Sequence, residues 1–275
     1  METEHGTGWT GRLRLEYARK NGRTILAGNS HSGPLMVQRP LYPEGDVCHT
    51  CILHPPGGVV GGDRLEIDVT VGREASALIT TPGATKFYRS GGRMAVQEQQ
   101  ITVAGNGLLE WFPQENILFP GAEATIRTRV SLGPTARFIG WEILCLGLPV
   151  NNEPFSTGRA DTTLTLDLDD KPVFLDRLRV TNSNDLEAPA GLQSFPVCAT
   201  FVATTGNGKL LETLRALTCR EKEALFGVTL VDGLLVARYL GHSTFGAREL
   251  FTDIWQRVRP EIAGRESCLP RIWAT

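Results

Sequence analysis

Residues 54–92 read HPPGGVVGGDRLEIDVTVGREASALITTPGATKFYRSGG, and their reading decides what kind of chain this is. Two turn-forming blocks bracket a run of alternating apolar and polar residues. The first holds Gly57, Gly58, Gly61 and Gly62, followed by Asp63; the second is Thr81-Pro82-Gly83-Ala84-Thr85-Lys86. Clusters of this kind fix backbone shapes that a Cβ would forbid. A phosphate loop would need a lysine and then Ser or Thr after the last glycine, opening a helix. Here Asp63 and Arg64 stand at that point, and Leu65-Glu66-Ile67-Asp68-Val69-Thr70-Val71 alternates with period two, as a strand does. In the second block Thr85 precedes Lys86, the reverse of the required order. Neither block is a nucleotide site.

The same pattern extends outward. From about residue 10 to 205 the chain reads as short strands separated by Gly, Pro, Asn or Asp, among them Gly11–Arg19, Cys48–Leu53, Ala75–Thr80, Met94–Val103, Leu108–Phe112, Ala124–Val130, Ala136–Leu146, Arg159–Leu168, Lys171–Val180 and Ala199–Thr204. So many strands without intervening helical periodicity predict an all-β body, either a layered sandwich or a β-helix-like stack. No fixed repeat period is visible, so a solenoid is not established by the residues alone.

The last part differs. Leu210, Leu211, Leu214 and Leu217 fall at helical spacing, Val228–Val231 and Leu234–Leu240 flank an Asp232-Gly233 hairpin turn, and Leu250, Phe251, Ile254, Trp255 and Val258 form one helical stripe. Pro260 is expected to stop or kink that last helix. Ser243 or Thr244 is expected to cap its start. The expectation is a single domain over 1–275: a β body at 10–205 and a small α-β-β-α unit at 206–275 packed on it.

With 275 residues and 41% apolar content the chain can bury a substantial core. A formal net charge of −2 gives no support for nucleic-acid binding, which needs a basic face. No apolar run approaches the roughly twenty residues of a membrane-spanning helix, and METEHGTGWTGRLRLEY lacks the apolar core of a signal peptide. A cytoplasmic protein is the expectation.

Residues that could carry chemistry are few. There is no G-x-S-x-G elbow, no H-E-x-x-H and no cysteine-nucleophile signature. Cys48 and Cys51 bracket His49 in a C-x-x-C, but the run around them reads as a strand, which turns Cys48 and Cys51 to opposite faces and leaves His49 and Cys51 on the same one. A second ligand pair for a closed metal site is missing. His49, Cys51 and His54 remain weaker metal candidates, and no tightly bound cofactor is expected. Asp63 reads either as a turn carboxylate bonded to backbone N–H groups or as a polar group on an internal route for a hydrated cation. Glu110, Trp111, Phe112, Pro113 and Phe119 form an aromatic patch that is either a partner anchor or part of the core.

Read together, HPPGGVVGGD and TPGATKFYRS resemble the urease accessory protein UreD (UreH) family, as do GPLMVQRPLYPEG at 33–45, LEWFPQENILFPGA at 109–122, GWEILCLGLP at 140–149, DIWQRVRPEI at 253–262 and LPRIW at 269–273. The chain departs from the family pattern at Leu148, where arginine is usual, and at Thr85 and Asp176, where serine and glutamate are common. The resemblance implies a mainly β, β-helix-like body with a small helical part, no catalysis, and a role in nickel insertion. It implies partners in UreF, the GTPase UreG and the urease apoprotein (UreABC). It also implies transient passage of Ni²⁺, with Asp63, Thr85 and Asp176 as candidates along the path. A rival from another class is a β-helical carbohydrate-active enzyme using two of Asp63, Asp68 and Asp176 as acid and base.

Overall fold

The computed structural model describes residues 8–274, apart from the side chain of Ser183. The seventeen-residue N-terminal stretch expected to lack a leader therefore lies partly outside the described residues.

The alternation in Arg64–Val71 buries Leu65, Ile67, Val69 and Val71 and leaves Asp68 and Thr70 exposed. That strand pairs in parallel with Thr10–Lys20 on one side and Ala95–Val103 on the other. Glu123–Leu132 and Arg159–Leu168 continue the parallel order, and antiparallel strands Arg23–Ser32 and Lys171–Val180 close the two edges of a seven-stranded sheet. From this first sheet the chain turns repeatedly into a second one. There Cys48–Leu53, Ser76–Thr80, Leu108–Phe112 and Arg137–Leu148 also stack in parallel. A short third face completes each coil: Thr85–Phe87 and Asn116–Leu118 are parallel to each other and to the far end of Arg137–Leu148, and Val59 bridges Phe87.

The body is thus a β-solenoid, as the mainly β, β-helix-like expectation has it. Arg64, Val96 and Thr125 lie side by side in register although they are unequally spaced in sequence. Unequal coils are why no repeat period is visible. The third-face strands fall inside blocks that read as turns, because two or three residues between Gly and Pro carry no periodicity. Gly62, at φ 96°, lets the chain enter Arg64–Val71 in a conformation that other residues rarely adopt.

Inside the coil, Leu13, Leu15, Val69, Ile79, Leu109, Trp111, Ile126, Val130, Phe138 and Leu166 form one apolar cluster. The outer face of the second sheet carries another, with Phe112, Ile139, Trp141, Ile143 and Phe201. Glu110, Trp111 and Phe112 are buried, with Trp111 and Phe112 on these two sides, so that part of the aromatic patch is core, while Pro113 and Phe119 are half-buried.

Three α-helices accompany the strands: α1 (Ser183–Glu187), α2 (Gly208–Arg215) and α3 (Thr244–Ala263). The hairpin Leu225–Val231/Leu234–Gly241 turns at Asp232 and Gly233, both at positive φ, and bonds onto Val197–Ala203, which is antiparallel to Arg137–Leu148. It therefore extends the second sheet. Ser243 caps α3 by accepting from the N–H of Gly246 at 3.0 Å. The helix does not stop at Pro260; it runs to Ala263 and ends at Gly264, which is left-handed at φ 67°. Pro260 removes the bond its N–H would make one turn back, and the buried Val258, Arg259 and Ile262 on either side of it carry the helix past that loss. Phe251, Ile254, Trp255 and Val258 press α3 against the outer face of the second sheet.

One polar clamp fixes that contact. Arg259 is fully buried; its Nε and Nη2 donate to Glu110 at 2.8 and 2.9 Å, and its Nη1 and Nη2 to Glu44 at 2.7 and 2.8 Å. Trp255 Nε1 donates to the same Glu110 at 2.6 Å. Glu110, on a strand of the second sheet, is also fully buried. Removing the guanidinium strands a buried carboxylate, so Arg259→Met is expected to cost about 3–5 kcal/mol in urea unfolding. Pairing it with Glu110→Gln should restore part of that loss. A single substitution without measurable effect would contradict the clamp.

Candidate functional site

His49 and Cys51 share the outer face of Cys48–Leu53, as the strand reading has it, and line a cleft of ≈ 260 Å³ with Tyr42, Leu78, Thr80 and Ile272. Cys48 points into the core. His49 is already engaged: its Nε2 lies 2.7 Å from Glu44 Oε1, on the carboxylate that also binds Arg259. Burial would raise the Glu44 carboxyl, but the bonds from His49 and Arg259 bring it down to about 2. Burial pushes the Cys51 thiol up to about 11, which disfavours the thiolate a metal needs. Among the described residues, no three His, Cys, Asp or Glu side chains are grouped to hold a metal ion.

Asp63 is buried in the turn between the glycine pairs and Arg64–Val71. Its carboxylate accepts from the backbone N–H groups of Val60 at 3.0 Å and Trp9 at 3.2 Å. His54 lies nearby, its ring 5.5 Å from that of Trp9. Burial lowers its pKa while the Asp63 charge acts the other way, and its Nε2 is buried without a hydrogen-bond partner. His54, Thr85, Lys86, Gln97, Gln99 and Asn116 line a first cavity of ≈ 160 Å³ inside the coil, where the third face meets the other two. Such a volume suits a few water molecules among polar groups.

Asp176 lines a second, larger cavity of ≈ 360 Å³, at the end of the coil where Lys171–Val180 and Val197–Ala203 diverge. Its carboxylate accepts from Thr200 Oγ1 at 2.7 Å and Arg238 Nη1 at 3.0 Å. Glu142 shares the cavity and was not singled out from the sequence. It is bonded to the Thr128 hydroxyl, is surrounded by protein, and keeps part of its surface against the cavity. Burial raises its carboxyl to about 7; the Thr128 bond opposes this and the Asp176 charge adds to it. A signal for Glu142 exists in the sequence: it is the lone acid in the strand RFIGWEILCLGL, with apolar residues on both sides of it.

Thr85 and Asp176 therefore line different cavities, and Asp63 lies behind the first. A polar seam runs between the cavities. Gln99 of the first cavity sits in register beside Thr128, and Thr128 bonds to Glu142 of the second. Gln97, Gln99, Thr128 and Thr162 are all buried on the inner face of the first sheet. The three carboxylates of the glycosidase reading do not share a groove. Asp68 is on the outer face of the first sheet in a shallow cleft with Arg12 and Arg14, Asp176 lines the coil end, and Asp63 is bonded into a turn. That rival is not favoured.

These features define a β-solenoid protein with a polar seam between two cavities. Comparison with known proteins carries the assignment further. A family model described as UreD urease accessory protein matches residues 10–274. A urease accessory protein UreD from Alcanivorax borkumensis is 46% identical over 98% of this chain and 93% of its own length. One from Escherichia coli is 45% identical over the whole of both chains, and one from Aliivibrio fischeri is 43% identical over 98% of this chain and 97% of its own. The chain belongs to the UreD urease accessory protein family.

The Glu142 carboxyl tests the seam's burial directly. Its folded pKa lies above the ordinary 4.5, so its contribution is fully present below pH 4.5 and is lost as pH rises through about 7. Glu142→Gln should unfold like the parent at pH 4.5 and be more stable by on the order of 2 kcal/mol above pH 7. Equal urea midpoints at both pH values would show a normally solvated carboxylate.

Proposed function

We propose that this chain assists nickel insertion into apo-urease, catalysing nothing itself, and that its polar seam is an internal path for Ni²⁺. The observation that carries the reading is the run of amides, hydroxyls and carboxylates from Thr85, Gln97 and Gln99 through Thr128 to Glu142 and Asp176, buried at Gln97, Gln99 and Thr128 and half-buried at the others, in a coil whose inner wall is mostly apolar. Ni²⁺ accepts oxygen and imidazole ligands and water, and a delivery path must release what it binds. Asp176 suits a weak hold, because Arg238 and Thr200 already bond to it and compete with a passing cation. Asp63 contributes its charge beside His54 more than free ligand atoms, since backbone N–H groups occupy its carboxylate.

On the same reading, the chain is a cytoplasmic scaffold that joins UreF, UreG and the urease apoprotein. GTP chemistry then falls to UreG, which agrees with a glycine-rich block here that leads into a strand and lacks the phosphate-loop lysine. Among the described residues no helix is long and apolar enough to cross a membrane.

The test is urease activation in cells that carry the remaining urease genes. Without this chain urease should remain largely inactive and nickel-poor. Asp176→Lys, which places a positive charge in the second cavity, should lower activation about tenfold or more while the variant still co-purifies with a UreF-type protein. Full activation without the chain would defeat the proposal, and full activation with the lysine variant would defeat the path.

A further inference from the structure

Between Lys171–Val180 and Val197–Ala203 the chain crosses the second cavity through residues 181–196, which include α1. Ala190, Gly191 and Leu192 form one wall of that cavity. Leu192 is 4% exposed, whereas Gly191, Gln193 and Ser194 around it are exposed, so one apolar side chain plugs inward from a solvated segment. The segment is bonded chiefly to itself: Gly191 and Gln193 donate their N–H groups to the Ala188 carbonyl at 2.9 and 3.3 Å, Ser194 to Leu186 at 2.8 Å, and Phe195 to Leu192 at 2.8 Å. Among the described residues no hydrogen bond or ion pair joins 188–194 to a strand. At the near end Asp185 accepts from the backbone of Thr181 and Asn182, just past Lys171–Val180. At the far end the Phe195 ring lies 5.2 Å from that of His242, and Pro196 accepts from the N–H of Leu146 at 2.7 Å.

The backbone is also unusual here. Gln193 and Ser194 are consecutive left-handed residues, at φ 51° and 68°. Among the described residues, every other left-handed non-glycine position is Asn or Asp, except Glu74. Asn and Asp tolerate that conformation and Gln and Ser gain little from it, so the closed arrangement holds strain at the point where it crosses the cavity.

We propose that residues 188–195 are a hinged lid on the Glu142–Asp176 cavity, held shut by Leu192 and opened by its withdrawal. Opening breaks no bond to the strands and releases the left-handed pair, so it needs far less than global unfolding. The lid's purpose, to admit or release an ion, rests on the path reading above. The opening itself does not, and its test uses no metal.

Cys198, half-buried, lines the same cavity as Leu192, while Cys145 is buried on the other side of the sheet beside a separate cleft. Burial pushes both thiols up to about 12, so a difference in their alkylation reports access and not acidity. The native protein is treated with iodoacetamide and each site is followed by mass spectrometry. The parent's Cys198 rate is the baseline and should be unchanged by low urea, as a local event requires. Leu192→Ser should accelerate Cys198 about tenfold over that baseline and leave Cys145 unchanged. A Cys198 rate that climbs with urea in step with global unfolding, or no acceleration by Leu192→Ser, would each overturn the lid. If Leu192→Ser does not fold, Leu192→Ala is read in the same way. Failure of the lid leaves the urease-activation result standing, and failure of the path leaves the labelling result standing.

Discussion

A polar side chain on the inner wall of a β-solenoid has little access to bulk water, so it must find a partner inside or carry its desolvation cost. That constraint shapes this molecule. Most inward positions are aliphatic or aromatic. Thr50 bonds beside Cys48 on that wall, but Gln97, Gln99, Asn116, Thr128, Thr162, Glu142, Thr200 and Asp176 line the two cavities or the short step between them. Where the wall turns polar, the coil stops being close-packed and leaves room, because amides and carboxylates that bond to one another or to water cannot interdigitate as leucines do. The cavities and the seam are one consequence of the same placement.

The second sheet has to be covered on both sides for this to hold. Its inner face looks into the coil and its outer face is sealed by α3. Arg259 ties the helix to Glu110 on that sheet and to Glu44 before it, and Trp273 Nε1 donates to Thr80 Oγ1 at 2.9 Å to draw the chain end onto the same face. His49 is absorbed into this fastening. A residue that looks like a metal ligand in a C-x-x-C setting is thus better explained by the clamp it completes.

Much of the fold was legible because period-two alternation is strong wherever one face is buried, as in Arg64–Val71 and Ala95–Val103. The third face was not, since Thr85–Phe87 and Asn116–Leu118 are too short to show a period and sit among turn residues. Helix α3 outran its proline because the packing of Val258, Arg259 and Ile262 outweighs the one bond that Pro260 removes, and Gly264 supplied the stop. At the site, Thr85 and Asp176 came through the family resemblance. Gln97 and Gln99 were not singled out, although the alternation puts them on the face of Ile101 and Val103, a conflict between pattern and polarity that deserved notice. Glu142 carried the same mark, a single charge amid apolar neighbours. Which acids share a cavity depends on coil stacking, and unequal coil lengths hide that from the linear chain.

The central claim is that a cation can occupy the seam. Anomalous X-ray diffraction from crystals of the protein soaked in millimolar Ni²⁺ tests it most directly. The account predicts an anomalous peak inside the coil, in the cavity bounded by Glu142 and Asp176. Peaks confined to the outer surface, with that cavity free of metal at the same soak, would contradict it.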